Sequence, residues 1–558
     1  MKWNAFPLAA LCLAFALLPV AAQAQPAGHG TPFEASPSSP SPEQWRQDLA
    51  YMVAQMRARH PDLYHTVDAG TFQRAVDDLH ARLPALQRHE AIVGLMALAA
   101  LVGDGHTNVS PLKDAAFRFR ELPLKLYWFE DGMFVRAATV QHRALVGARI
   151  EAIGGVPVDA AVERVARIVS RDTPMGLRLQ APIYLAMPEI QHALGLSDTP
   201  DASTLTVRQG GRTRTVRVDA HEVPPPWSPD TDISLVTPEG WVDGRAQPPP
   251  LWLQKPLDYH RMIPLDRDNA LYVQLNMVTG VEGQSLDQFG QAVLARVRDT
   301  GPRTLVLDLR LNRGGNQDLR YGFVADLIRA TGEDTRLYVL VGRGVFSATQ
   351  RILDELAHLG GATLVGEPAS SRPNSYGDSY RETLPHSGIS FRTSVLWHQF
   401  DWRDPPWTAI DIAVPYRYAD YLAGHDPALE AALAGRLPPD LGEALQAGFA
   451  RDEASPAAAL VHAHFDDPAT RYADRERQVE EAVRWLLSAG KAADAVVVAE
   501  VATARLPDSV HAWTVLAHAQ AAAGQAALAR AAAEQVIRLD PNNRNVRRFL
   551  QEAKPAPQ

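Results

Sequence analysis

Between about residue 269 and residue 365, short apolar runs alternate with stretches of helical periodicity. The apolar runs have the length of strands, and the stretches between them are long enough to hold a crossover helix. The predicted strands are 270–275, 304–309, 337–341 and 362–365, and the predicted helices are 286–297, 319–330 and 352–359. This alternation predicts stacked β-α units around a parallel sheet, and therefore an α/β core over residues 268–435.

Two regions of different periodicity precede this core. Leu49 and Met52 belong to a series of apolar residues at three- and four-residue steps, which indicates helices. Further on, the run 145–157 resembles the centre of a PDZ-like module, and strand-like runs on both sides of Gly210 and Gly211 predict a hairpin. The predicted boundaries are 43–120 for an N-terminal helical region, 121–222 for the PDZ-like β-rich module and 223–267 for a Pro-rich connector.

The C-terminal region contains a repeat. Gly490 and Gly524 are separated by the same 34 residues as Pro507 and Pro541, which is the period of a tetratricopeptide helix–turn–helix unit. An Ala-rich helical cap without a binding role is the alternative. The predicted boundaries are 436–476 for a helical connector and 477–553 for an all-α tail of tetratricopeptide repeats.

The N-terminus has the pattern of a secretory signal. Lys2 precedes an apolar stretch, 8–22, that is too short to span a bilayer, and small residues up to Ala24 form a cleavage site. The single cysteine, Cys12, lies within this signal, so the mature chain is expected to contain no disulfide. The predicted boundaries are 1–24 for the signal peptide and 25–42 for a disordered leader, and the expected location is periplasmic or secreted.

Charge and composition exclude several classes of function. The formal net charge is −9, which argues against a nucleic-acid partner. No later stretch is long and apolar enough for membrane insertion. Neither closely spaced histidines nor a carboxylate cluster predicts a metal site, and no cofactor is expected.

Ser347 stands where a predicted strand gives way to a predicted helix, in the run Gly-Arg-Gly-Val-Phe-Ser-Ala-Thr-Gln at 342–350. The N–H groups in the first turn of a helix lack intrahelical partners, and the helix dipole is positive there. A nucleophilic hydroxyl at this place would have an oxyanion site beside it. Helix capping is the alternative, because serine is a preferred N-cap residue.

Three other segments of the chain contain motifs that are informative together with this turn. They are Asp-Leu-Arg-Leu-Asn-Arg-Gly-Gly at 308–315, Val-Gly-Glu-Pro at 365–368 and Gly-Asp-Gly-His-Thr at 103–107. Together with Phe-Ser-Ala they resemble the tail-specific protease core of the S41 serine peptidases, and Asp-Gly-His-Thr resembles its tricorn-like branch. The resemblance covers about residues 45–420. It implies a ClpP/crotonase-like β-α core and a nucleophilic serine at Ser347.

The resemblance also implies a base. One branch of the family pairs serine with lysine, but no lysine lies between Lys255 and Lys491, and Arg372, near the expected position, stays protonated. A histidine, whose ordinary pKa is roughly 6.5, suits a general base near neutral pH. His106 is therefore the predicted base. The alternatives are lysines from outside the core, namely Lys113, Lys125 and Lys255, and the histidines His260, His358, His386 and His398.

The remaining site residues follow from the same resemblance. An acid that orients the imidazole is expected, but the glutamate of the family is missing, which leaves three candidates: Asp404, Asp411 and Asp104. The oxyanion donors are expected among backbone N–H groups, namely that of Ala348 with that of Gly314 or Gly315.

A loop after the serine turn is expected to line the substrate pocket. Arg372 would pair with a substrate carboxylate, since arginine binds carboxylates through two parallel hydrogen bonds. Asn374 and Tyr376 would line the same pocket. The alternative for Arg372 is a solvated surface charge.

These observations predict an exported serine peptidase that acts on peptide or protein substrates through an acyl-enzyme on Ser347, with His106 as general base. A catalytically inactive pseudopeptidase that binds peptides is the alternative from another class. An acyl-chemistry enzyme on a crotonase-like scaffold is a third interpretation, but the sequence carries no CoA-binding signal.

Overall fold

The computed structural model describes residues 40–110, 119–221, 235–451 and 456–552. The predicted signal peptide and most of the predicted leader lie outside these residues, as does Lys113. Among the described residues, no helix combines the length and the apolar character needed to cross a membrane.

Three helices with a shared apolar core begin the described chain. Their bounds are Pro42–Arg59, Ala69–Arg82 and Arg88–Ala100. Ser41 and Gln44 form a reciprocal capping box at the start of the first helix, because each side chain accepts the backbone N–H of the other. The buried faces carry the periodic apolar residues that predicted the helices, including Met52 and Leu95. The third helix leads directly into the turn that holds His106.

A seven-stranded antiparallel sheet follows. Its strands are Leu124–Phe129, Gly132–Thr139, Arg149–Ile153, Val156–Pro157, Ala202–Gln209, Arg212–Asp219 and Trp241–Asp243, and the helices inserted between them are Val158–Ala166, Pro174–Leu185 and Pro188–Ala193. Gln209 pairs with Arg212 across the predicted hairpin turn. Gly210 and Gly211 both have positive φ, 55° and 75°, and a two-residue turn of this kind matches the twist of the flanking strands.

The second large sheet has six strands and contains the predicted β-α units. In spatial order its strands are Ile412–Ala413, Thr363–Gly366, Arg336–Val341, Thr304–Asp308, Ala270–Leu275 and His260–Leu265. All neighbours are parallel except the last pair, which is antiparallel. The helices Leu286–Thr300, Arg320–Arg329 and Ala348–Leu359 connect the strands, and the short helix Leu251–Gln254 precedes them. The predicted mixed α/β class is confirmed.

The parallel strands determine where the sequence motifs meet. Thr304–Asp308, Arg336–Val341 and Thr363–Gly366 are neighbours in register, so their carboxyl ends reach the same edge of the sheet. The motif segments 308–315 and 342–350 follow directly after two of these strands.

A three-stranded sheet connects the strand after the His106 turn to a later part of the chain, and a two-stranded sheet lies within that later part. Asn108–Val109 pairs with Ser390–Thr393, which in turn pairs with Tyr380–Thr383. Ser375–Gly377 pairs with Leu396–His398. The segment 375–398 is therefore fixed beside the His106 turn, although nearly 300 residues separate the paired strands.

The C-terminal region is helical throughout its described part. Its helices are Tyr418–Ala423, Pro427–Ala434, Leu441–Ala450, Ala457–Asp466, Arg475–Ser488, Ala492–Arg505, Val510–Ala522, Ala526–Leu539 and Arg544–Glu552. Gly490 and Gly524 each lie between two of these helices and have nearly equal φ, 73° and 76°. The 34-residue offset therefore repeats a helical hairpin, and its assignment to tetratricopeptide repeats stays a prediction.

Candidate active site

Ser347 occupies a strained turn between the strand Arg336–Val341 and the helix Ala348–Leu359. Its φ is 56° and its ψ −128°, a conformation that costs a non-glycine residue about 1–3 kcal/mol. Its hydroxyl makes no capping hydrogen bond to the helix. Capping therefore does not account for this serine, and strain of this kind is concentrated at functional sites.

The glycine pair at 314 and 315 lies against this turn. A Cβ on Gly314 would be 2.8 Å from the Ser347 Cβ, and one on Gly315 would be 2.2 Å from the Val278 carbonyl oxygen. The N–H of Gly314 donates to Asn312 Oδ1 at 3.0 Å. Among the described residues, the N–H groups of Gly315 and Ala348 have no acceptor. Of the predicted oxyanion donors, this pair is the one left available.

We expect Gly314→Ala to destabilise the fold and to impair the Ser347 turn. Gly314 has a φ of 107°, and the added methyl group would press on Ser347, so the expected cost is about 1–3 kcal/mol. Calorimetry would measure it. Gly332→Ala is the matched control, because a Cβ there meets nothing within 4 Å, and it should change stability by less than about 0.5 kcal/mol. Equal midpoints for the two variants would contradict the expectation.

His106 lies beside the serine turn. Its ring stacks on Phe346, the residue before Ser347, with centroids 4.4 Å apart and planes inclined by 23°. Its Cε1 is 3.7 Å from the position of a Cβ on Gly377. The fold thus places His106 beside the turn that holds Ser347, although the two residues are distant in sequence.

Asp104 holds the His106 turn by its backbone. Its Oδ1 accepts the N–H groups of His106 at 2.8 Å and Thr107 at 2.6 Å, and the Ser394 hydroxyl at 2.7 Å. His60 Nε2 donates to Oδ2 at 3.0 Å, since His60 Nδ1 accepts the Asp62 N–H. Burial alone would raise the pKa of Asp104, but these hydrogen bonds bring it below its ordinary value.

The other two predicted acids are held by other groups. Asp404 Oδ1 pairs with the Arg372 guanidinium at 2.9 Å. Asp411 accepts the backbone N–H of Leu364 at 2.8 Å, beside the strand Thr363–Gly366. Each of these carboxylates thus has a contact that leaves it in a structural role.

Asp172 and Ser371 are neighbours of the site that the sequence did not indicate. Asp172 Oδ1 accepts the N–H of Gly105 at 2.6 Å, and Ser371 Oγ accepts the N–H of Ser347 at 3.0 Å. Burial, together with the charge of Asp104, raises the pKa of Asp172 to about 7, while the Gly105 N–H and the Ser371 hydroxyl oppose this rise. Asp172 and Ser371 therefore link the His106 turn to the Ser347 turn.

We expect Asp172→Asn to stabilise the protein more at pH 8 than at pH 4. The pKa of Asp172 in the folded protein is about 7, above its ordinary value of 3.8. Between these pH values folding requires the carboxyl group to take up a proton, so the wild type loses stability as pH rises. The gap should therefore open between pH 4 and 7 and then stay constant, at roughly 4 kcal/mol at most. Thermal melts at several pH values measure it. Asp219→Asn, at an exposed carboxylate, is the control. A difference in stability between Asp172→Asn and wild type that does not change with pH would refute the expectation.

The predicted substrate-binding residues have different environments. The Asn374 amide nitrogen donates to the Asp401 carbonyl at 2.6 Å and its oxygen accepts the N–H groups of Phe400 and Asp401, so it holds the loop together. Tyr376 is partly exposed and lies 4.6 Å from the Trp397 ring. Arg372 is partly exposed and engaged with Asp404.

The glutamate of the Val-Gly-Glu-Pro segment has a structural partner. Glu367 accepts hydrogen bonds from Nε and Nη2 of Arg343 at 2.7–3.0 Å. Arg343 Nη1 also donates to the Trp128 carbonyl at 2.6 Å, and both charged side chains are buried. This pair fastens the start of the serine loop to the end of the neighbouring strand and to the seven-stranded sheet.

Two of the alternative lysines can be located. Lys125 Nζ donates to Glu121 Oε2 at 2.7 Å in a buried pair. Lys255 is largely exposed and pairs with Asp258 at 3.7 Å. Neither pairing involves Ser347, and histidine remains the candidate base.

Comparison with known proteins gives structural likeness alone. No family model matches the chain, and no curated protein matches it. Mature CPAF is 13% identical with a TM-score of 0.47, covering 71% of this chain and 99% of its own. The photosystem II D1 C-terminal processing protease is 13% identical at 0.33, covering 70% and 96%. A putative S41 protease from Bacteroides fragilis is 13% identical at 0.27, covering 70% and 92%.

Proposed function

We propose that this chain is an S41-type serine peptidase in which Ser347 is the nucleophile and His106 the general base. The observation that carries the proposal is the state of Ser347: its backbone is strained, its hydroxyl does not cap the helix, and the His106 ring lies against the adjacent Phe346. A structural serine at a helix N-terminus would be expected to cap it without strain.

The proposed reaction assigns a role to each group around this serine. Ser347 Oγ attacks a peptide carbonyl and gives its proton to His106. The N–H groups of Ala348 and Gly315 stabilise the oxyanion of the tetrahedral intermediate, and His106 then protonates the departing amine. In the second step, water attacks the acyl carbon and gives its proton to His106, and His106 then returns a proton to Ser347 Oγ as the acid product leaves.

The substrate is proposed to be an extended peptide. Tyr376 and Trp397 form a partly exposed aromatic surface on the small sheet beside His106, which suits apolar side chains of a substrate. Arg372 would recognise a carboxylate only by exchanging Asp404 for it. The predicted signal at the N-terminus supports a periplasmic or secreted location.

The experiment that tests the nucleophile is covalent labelling with a fluorophosphonate probe. Wild-type protein should be labelled, and peptide mapping should find the adduct on Ser347. Ser347→Ala should not react. Ser285→Ala is the matched control, because Ser285 also stands at a helix N-terminus but caps it by accepting the Gln288 N–H at 3.1 Å, and this variant should label like wild type.

Two results would contradict the proposal. An adduct that persists in Ser347→Ala would move the nucleophile elsewhere. An unlabelled wild-type protein that binds peptides without cleaving them would favour the pseudopeptidase.

A further inference from the structure

Two histidines outside the proposed active site contact each other through their ring nitrogens. His89 belongs to the helix Arg88–Ala100 and His192 to the helix Pro188–Ala193. His89 Nε2 and His192 Nδ1 are 2.8 Å apart, and the ring centroids are 5.0 Å apart. Such a contact requires one nitrogen to carry a proton and the other to present a lone pair.

A carboxylate completes this group. Glu90 follows His89, and the potential ligand atoms of Glu90, His89 and His192 all lie within 4.8 Å of one another. One oxygen of Glu90, Oε2, accepts the N–H of Gln87 at the start of the helix. That hydrogen bond holds the carboxylate near the imidazole pair, just as hydrogen bonds to the ligands of a metal site orient those ligands.

We propose that His89, His192 and Glu90 bind a divalent metal ion such as Zn²⁺. Two imidazoles and one carboxylate, with a water in the fourth position, form a tetrahedral set that Zn²⁺ accepts. With Zn–N bonds of ~2.0–2.1 Å the two nitrogens would lie roughly 3.4 Å apart, so the rings need to separate by only about half an ångström. Each neutral imidazole keeps its proton on the ring nitrogen that faces away from the ion.

The position of the site gives the ion a structural consequence. The helix Arg88–Ala100 leads into the His106 turn. The helix Pro188–Ala193 follows the helix Pro174–Leu185, which begins just after Asp172. The Asp172 carboxylate accepts the Gly105 N–H in the same turn. A metal ion would join these two elements at the ends remote from that turn. The proposal is independent of the peptidase function, since none of the three ligands belongs to the proposed active site.

The test is zinc binding by the untagged full-length chain, measured by competition with a chromophoric chelator. One equivalent of Zn²⁺ should bind to wild type, and His89→Ala and His192→Ala should each weaken binding at least about tenfold. Glu90→Gln should weaken it less, since an amide oxygen can still accept the Gln87 N–H. His142→Ala is the control, because His142 Nδ1 lies 3.0 Å from the Thr139 hydroxyl and the residue belongs to no group of potential metal ligands within the described residues. This variant should bind zinc like wild type.

A second measurement keeps the proposal testable if an alanine variant folds poorly. X-ray absorption on the zinc-loaded wild type should show two imidazole nitrogens in the first coordination shell, and His192→Asn, which can still bond to His89, should show fewer. Zinc should also raise the melting temperature of wild type and of Ser347→Ala alike, but not of His192→Asn. Equal zinc affinity in wild type and both histidine variants, or no binding at micromolar zinc, would overturn the proposal.

Discussion

Ser347→Ala and His106→Ala are each expected to lower the rate of peptide hydrolysis by roughly 10³-fold or more, and the double variant no further. A nucleophile and its base act as one unit, so removing either loses most of what removing both loses. The stacking of His106 on Phe346 and the orientation of Ser347 by its strained backbone make this pair the candidate unit. The measurement is kcat for a fluorogenic peptide, with circular dichroism to confirm that the variants are folded.

A neighbouring histidine sharpens this experiment. His398 and His106 both lie near Gly377, since a Cβ there would be 3.3 Å from His398 Nε2 and 3.7 Å from His106 Cε1. His398 also pairs with Asp378 at 3.2 Å. Because it has its own carboxylate and is near the site, it is the strongest rival base. His398→Ala should reduce kcat by less than about tenfold. The opposite pattern, with a large loss in His398→Ala and a small one in His106→Ala, would assign the base to His398.

The main sheet could be predicted from the sequence because its strands are buried on both faces. Such strands appear as continuous apolar runs, and the helices between them show the other periodicity. The antiparallel edge strand His260–Leu265 lies within the region predicted to be a connector. Its residues are half exposed and include a proline, so they show neither the continuous apolar run of a buried strand nor the periodicity of a helix. Strand order likewise depends on pairing, which no local pattern contains.

The candidate site was predictable where a motif marks it. Ser347 and His106 each stand in a glycine-containing turn, and the residues next to them form a short motif that can be identified in the sequence. Asp172 stands just before an ordinary helix, and its significance comes from burial against the Gly105 N–H. His89 and His192 are about a hundred residues apart, so only tertiary packing brings their nitrogens together. Contacts of this kind depend on the folded chain and leave no spacing signature.

Glu367→Gln is expected to produce the largest loss of stability among the substitutions considered. Glu367 is the bidentate partner of Arg343, and both side chains are less than 10% exposed. Removing the carboxylate leaves a buried guanidinium, whose pKa is raised in the native state by that carboxylate against the opposing effect of burial. Loss of one partner from a buried pair costs about 3–5 kcal/mol. Calorimetry should show that Glu367→Gln unfolds at a clearly lower temperature than wild type.

Two comparisons separate the loss of a charge pair from a general effect of substitution. Glu481→Gln removes one carboxylate partner of Arg477 from an exposed helical pair and leaves Arg477 near Asp474, so it should cost no more than about 0.5 kcal/mol. Arg343→Met combined with Glu367→Leu should recover much of the stability lost in Glu367→Gln, since apolar replacements leave no buried charge. Equal midpoints for Glu367→Gln and Glu481→Gln would show that the Arg343 pair does not hold the serine loop. A double variant no more stable than the single one would instead attribute the loss to packing around Trp128, whose carbonyl accepts a hydrogen bond from Arg343.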